Sequence, residues 1–208
     1  MYYELELQDK CREVLKVVPT IDYESKVESH NLDASKAFCW SKFKTKTDKV
    51  SLYLEKAFKS KIILDAWHYT NAKNLRRIRR DPSDPNITKL EIDEYTKASE
   101  ISKDNIVYSL FVAQTLKESR DPYALNAYEN LMNKMANKDP NGPYNLIYLR
   151  IALGFMNIRS PAYTRKYYLN LAKICLEKIH ERHYENSMYL HYMGIYYMKT
   201  YKFSVRLI

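Results

Sequence analysis

The 208-residue chain carries 34 Lys and Arg against 25 Asp and Glu, a net charge of +9, and is 46% hydrophobic, enough for a packed core. It has 20 tyrosines and only three glycines, Gly142, Gly154 and Gly194. Average usage would give roughly 15 glycines. So few exclude most sandwiches, barrels and glycine-cradled nucleotide sites, which need glycine in their tight turns.

In chain order the sequence reads as helices almost throughout. Residues 3–17 place Leu7, Cys11, Val14 and Leu15 on one stripe and stop before Pro19. Shorter helices are expected over 33–44 and 48–59, the second opening at Asp48. A longer one spans 61–80, with Ile63, Ala66, Trp67 and Leu75 inward, and Ile78 able to point inward as well. It ends before Asp81 and Pro82, because proline disfavours helix in the preceding residue. DPSDPN, 81–86, is the clearest break and divides an N-terminal segment, 1–80, from a domain over 88–208.

Beyond the break the start signals sharpen. Thr88 and Glu91 form a capping-box pattern flanked by Ile87 and Ile92 as a staple. Ser102 is the expected cap of a helix over 103–119, with Ile101 and Ile106 as its staple. Asp121–Pro122 and Ser160–Pro161 each place a cap before a proline at the first helical position. The loop 139–143 separates helices 122–137 and 144–158, and Asn186 or Ser187 opens the last, 187–203.

These starts recur. Overlaying the two proline starts, 39 residues apart, aligns Tyr128 with Tyr167, Met132 with Leu171, Lys134 with Lys173 and Met135 with Ile174. In the alternate helices a small residue recurs at Ala113, Gly154 and Gly194, each after an apolar one. Mid-helix glycine is costly and suits a place where a neighbouring backbone comes close. Repeated antiparallel pairs with one such position per repeat describe an α-solenoid. LGFMNIRSPAYTRKYY (153–168) and MGIYYMKTYKFS (193–204) resemble degenerate tetratricopeptide repeats, over residues 103–208. Such stretched, tyrosine- and lysine-rich repeats are also similar to the peptide-sensing domains of bacterial regulators. The resemblance implies a non-catalytic module that binds a peptide or protein. The expected fold is all-α, a tetratricopeptide-like solenoid preceded by a basic helical segment.

The charge is segregated. Residues 36–80 hold thirteen bases and three acids, while residues 81–130 hold five bases and ten acids. The candidate site for an acidic partner is Lys42, Lys44, Lys46, Lys49, Lys73, Arg76, Arg77, Arg79 and Arg80. Phe43, Trp67, His68 and Tyr69 lie near it in sequence and can stack on bases, which makes DNA or RNA the alternative partner. The plainer reading pairs these bases with the acidic stretch of the same chain. Among the clustered tyrosines, a peptide groove is expected from Asn145, Tyr148, Tyr189 and Tyr192, with Arg150 for a carboxylate. Core filling is the competing role for each ring.

No enzyme motif is present: no G-x-x-x-x-G-K, G-x-S-x-G or H-E-x-x-H. Cys39 beside Phe38 and Trp40 reads as a buried small hydrophobe rather than a nucleophile with His30. Glu177, His180 and His183 follow helical spacing, but Asp65-x-x-His68 is the nearest second copy, so no metal or cofactor is expected. Three scattered cysteines and the absence of a signal-like start suggest reduced thiols and a cytoplasmic setting. No run approaches ~18 apolar residues, so no membrane span is expected. The apolar last helix lacks a polar cap, from which an oligomer or a covering partner is expected.

Overall fold

The computed structural model describes residues 26–43, 46–79, 85–136, 138, 144–159, 162–183 and 186–205. Among these every regular element is an α-helix: α1 Lys26–Trp40, α2 Thr47–Ala57, α3 Asp65–Ile78, α4 Pro85–Ile101, α5 Ile106–Glu118, α6 Ala124–Met135, α7 Asn145–Asn157, α8 Ala162–His183 and α9 Ser187–Val205. The helix expected over 3–17, the Ser160–Pro161 start and the loop 139–143 lie outside the described residues.

Several helix ends differ from the expectation, for identifiable reasons. α4 begins at Pro85, three residues before Thr88, since proline is tolerated in a first helical turn. Thr88 and Glu91 are therefore interior helix residues, and both are buried. Asn105, not Ser102, caps α5: its side-chain oxygen accepts the Val107 N–H at 3.1 Å. Ile101 is consequently exposed rather than stapled to Ile106. α6 begins at Ala124 with Tyr123 at its cap position and no side-chain cap bond, later than the Asp121–Pro122 start; in the turn before it Asp121 accepts the Tyr123 N–H at 2.8 Å. Asn186 does the same for Met188 at 2.9 Å at the start of α9. In α3, Ala66 and Ile78 face solvent, not the core.

Neighbouring helices pack in sequence, most extensively within α1/α2, α3/α4, α5/α6 and α7/α8. Odd-numbered helices also touch the next odd one at α1–α3, α5–α7 and α7–α9. The break at 81–86 is bridged directly, because α3 packs along α4. Apolar residues form two buried clusters. One comprises Ala34, Ala37, Val50, Leu54, Ala57 and Trp67, on α1 to α3. The larger runs from Ile106 to Tyr196, on α5 to α9.

Burial recurs with a fixed register. The even helices bury Val50, Glu91, Leu131 and Leu171, and likewise Leu54, Tyr95, Met135 and Cys175, at steps of 41, 40 and 40 residues. The odd helices bury Ala72, Ala113 and Gly154, and likewise Trp67, Tyr108 and Leu149, at steps of 41. The 39-residue overlay is one residue short. It matches fully buried Tyr128 with exposed Tyr167, whereas the buried counterpart is Tyr168. Loop length sets where a cap falls, whereas ring packing sets which face is inward, so the two registers need not coincide.

Gly194 also leaves the expected series. A Cβ at Gly154 would land in the Tyr128 ring, against Cε1, Cζ and the hydroxyl oxygen, whereas one at Gly194 would meet nothing within 4 Å. At a step of 41 the counterpart of Gly154 is Ile195, and buried Tyr148 and Phe155 correspond to buried Tyr189 and Tyr196. Gly154 is therefore a close-approach position and Gly194 is not. Two substitutions separate them. Gly154→Ala lowers unfolding free energy by about 1–3 kcal/mol through overpacking. Gly194→Ala raises it by about 0.5–1 kcal/mol through helix propensity. Urea denaturation measures both, and a destabilised Gly194→Ala would contradict the open face.

Candidate interface for an acidic partner

The bases of α3 divide according to which side of the helix carries them. Arg79 and Arg76 turn toward α4 and α5. Arg79 Nε lies 3.1 Å from Glu91 Oε2, and Arg79 Nη2 donates to Glu118 Oε2 at 2.7 Å. Arg76 pairs with the other Glu118 oxygen and lies 3.5 Å from Glu91 Oε1. The Thr115 hydroxyl donates to that same Glu91 oxygen at 2.9 Å. Glu91 is 0% exposed. Burial pushes its carboxyl pKa up, against the opposing pull of Thr115, Arg79 and Arg76. Arg76 and Arg79 are thus partnered inside the fold with the acidic stretch of the same chain, and Arg79 is buried. They are not a solvated pair open to phosphate.

A second buried pair lies one turn along. His68 Nδ1 is 2.8 Å from Glu94 Oε2, and Lys97 Nζ donates to Glu94 Oε1 at 2.8 Å. Burial alone would raise the Glu94 pKa, but hydrogen bonds from His68, Lys97 and Asn71 together overcome it and hold it at about 2. Tyr69 packs its ring on Tyr108 and Phe111, and Phe111 stacks on Tyr95. Trp67 and His68 are buried as well, so none of the aromatics of α3 is free to take a base.

The opposite side of α3 meets the α1–α2 turn and stays cationic. Arg77 donates to the Ser41 carbonyl oxygen, and the Asn74 amide reaches the Thr47 carbonyl oxygen at 3.0 Å. Lys73 is held below its ordinary pKa by burial and by Arg77 and Lys42 close by. Lys42 Nζ sits 4.2 Å from the Phe38 ring centroid, and Lys49 Nζ sits 4.1 Å from that of Trp40. Trp40 in turn packs against Phe43 at 5.7 Å between centroids. Phe38 and Phe43 are 52% and 58% exposed. Lys42, Lys46, Lys49, Lys73 and Arg77 have no carboxylate partner among the described residues. Lys44 and Arg80 lie outside the described residues. The segment Phe38-Cys39-Trp40-Ser41-Lys42-Phe43 interleaves rings and charge, and that was its legible signal; of the expected Phe43, Trp67, His68 and Tyr69 only Phe43 is in the site, and Phe38 and Trp40 join it.

The expected tyrosine groove does not assemble. Tyr148 and Tyr189 belong to the buried core cluster, and the Tyr148 hydroxyl donates to the Met135 carbonyl oxygen at 2.7 Å. Their hydroxyls satisfy themselves inside the protein, so the rings fill the core. Tyr192 packs half-buried against the same cluster. Asn145 accepts the Leu146 N–H at 2.6 Å at the start of α7. Arg150 alone of the five is exposed, and its positive charge acts on the Tyr69 phenol. Among the described residues the exposed tyrosines of the C-terminal part are instead Tyr167, Tyr197 and Tyr201.

The remaining chemistry-bearing groups are separate. Cys39 is exposed, contrary to its expected burial, and His30 Nδ1 is engaged 2.9 Å from the Lys56 carbonyl oxygen. Burial pushes the Cys175 thiol up to about 12. Glu177 pairs with Lys173, and His180 lies 2.8 Å from the Tyr189 hydroxyl. Among the described residues no three His, Cys, Asp or Glu side chains could hold a metal, and no helix is long and apolar enough to cross a membrane. Comparison of the chain with family models, with curated proteins and with solved structures finds no match.

Two measurements test the buried pairs. Glu91→Leu leaves Arg79 buried and poorly compensated and lowers stability by about 3–5 kcal/mol, whereas Glu91→Leu with Arg79→Met recovers most of the loss. For Glu94, whose folded pKa is depressed, the stabilisation is present above pH 4.5 and vanishes as pH falls toward 2. Glu94→Gln is therefore less stable than the native chain by up to about 3 kcal/mol at pH 7, and the gap closes across that window. Denaturant titrations at a series of pH values read it directly.

Proposed function

We propose that the helices stack as successive antiparallel pairs, in a tetratricopeptide-like solenoid, and that the chain is a non-catalytic binding protein for an acidic segment of another protein. The helix-pair packing and the burial steps of 40 and 41 residues support the architecture. One observation carries the binding reading. The internal acids neutralise Arg76 and Arg79, yet Lys42, Lys46, Lys49, Lys73 and Arg77 remain without a carboxylate partner among the described residues. Like charges held together cost free energy unless an anion neutralises them. Exposed rings beside them supply apolar contact area of the kind found at interface centres.

A second reading, single-stranded nucleic acid, is favoured by the exposure of Phe38 and Phe43 next to lysines. The two readings separate by substitution. Lys42→Ala, Lys46→Ala and Lys73→Ala combined weaken binding of a fluorescent Asp/Glu-rich peptide about tenfold at moderate salt, with the melting temperature unchanged. Phe43→Ala weakens that peptide only about twofold, through lost apolar contact, but weakens an oligonucleotide at least fivefold if bases stack there. Peptide binding indifferent to the three lysines would remove the interface from this face.

A further inference from the structure

A polar cleft lies where the α5–α6 turn meets the end of α7. It encloses about 340 Å³. Lys117, Arg120 and Arg159 line it together with Asn157, Ile158 and Tyr168. Glu118 and Asp121 line it too; Glu118 is ion-paired, whereas Asp121 is hydrogen-bonded but has no cation partner among the described residues. Glu118 uses its two oxygens on Arg76 and Arg79, and Asp121 accepts the Tyr123 N–H. The three cations have no carboxylate partner among the described residues. Asn157 accepts from Lys199 through Oδ1 at 2.7 Å, which leaves its amide N–H groups as donors.

The backbone at Arg120 adds a second, independent observation. Arg120 has φ of 61°, the one positive value among non-glycine residues described. It occupies the left-handed position just past α5, where the Asp121 N–H returns to the Leu116 carbonyl oxygen at 2.9 Å and the Arg120 N–H to that of Lys117 at 3.1 Å. Helix ends of this form usually carry glycine, because a Cβ is strained there. An arginine in a strained turn, with its charge at a cleft already holding two other cations, is a local cost that the fold itself does not require. Strain of this kind concentrates at ligand sites. Lys117 is half-buried as well, and burial holds its ammonium below the ordinary pKa.

We propose that this cleft binds the phosphate group of a small phosphomonoester, with Arg120 and Arg159 as forked donors and Lys117 as a point charge. A tetrahedral dianion matches three cations lining one cleft better than a single carboxylate does, and each guanidinium can donate two parallel hydrogen bonds to it. The volume exceeds what phosphate alone needs and suits a sugar-phosphate-sized body, which Ile158 and Tyr168 would flank. The site does not rest on the acidic-partner reading and shares no residue with that face.

The test is calorimetric titration with inorganic phosphate and with glucose 6-phosphate, at constant ionic strength in chloride. The native chain binds glucose 6-phosphate saturably at one site, with inorganic phosphate competing. Arg120→Gly weakens binding at least tenfold while raising the denaturation midpoint, since glycine relieves the strained turn. A merely destabilised variant cannot show that opposite pair of shifts. Arg159→Ala weakens binding to a similar degree, and the Lys42, Lys46 and Lys73 variant leaves it unchanged. No saturable binding to the native chain, equal affinity in Arg120→Gly, or loss only in the Lys42, Lys46 and Lys73 variant would each overturn the proposal.

Discussion

A buried carboxylate sets the constraint that the middle of this protein must satisfy. Glu91 occupies a position at which the other even helices place Val50, Leu131 and Leu171. An unpaired ionised carboxylate there would cost several kcal/mol, so α3 and α5 must deliver compensating groups in a single geometry. Arg79, Arg76 and Thr115 do so, and Glu118 completes the cluster. Such a cluster adds little net stability over an apolar core of the same shape. Its effect is selective. If α4 docked one helical turn out of step, Arg79 or Glu91 would lose its partner, and that pairing is penalised where an all-leucine interface would tolerate it.

The same constraint decides which charges remain outside. Thirteen bases in residues 36–80 suggest one broad basic surface. The fold divides them: the acids of α4 and α5 take Arg76 and Arg79, and the turn after α1 gathers Lys42, Lys73 and Arg77 on the other side. Helix periodicity makes this division unavoidable. Residues 76 and 77 are a hundred degrees apart on the helix, so one guanidinium enters the interior while its neighbour faces the α1–α2 turn.

Much of the fold was legible because it depends on local signals. Helical content, most helix ends and a recurrence near 40 residues follow from proline, caps and apolar spacing. The errors arise where one pattern serves two purposes. Thr88 and Glu91 match a capping box, yet the same spacing puts both on the buried side of a helix already begun at Pro85. Tyr148 and Tyr189 suit a groove or a core equally well, and only tertiary packing chooses. Gly194 and Gly154 look alike in sequence, but the Tyr128 ring that fills the space beside Gly154 has no counterpart at Gly194. The left-handed conformation of Arg120 leaves no trace in the sequence, since the position usually carries glycine and arginine does not signal it.

The unequal apolar clusters bear on dynamics. Among the described residues the apolar cluster on α1 to α3 has six buried members, while the one on α5 to α9 is several times larger. Local opening free energies track buried apolar contact, so backbone amides of the first three helices exchange with solvent deuterons sooner than those of α7 and α8. The lysines that lack a carboxylate partner among the described residues thus sit on the softer helices. An anion that bridges Lys42 and Lys73 would slow amide exchange there, coupling occupancy of that surface to rigidity of the helices that build it.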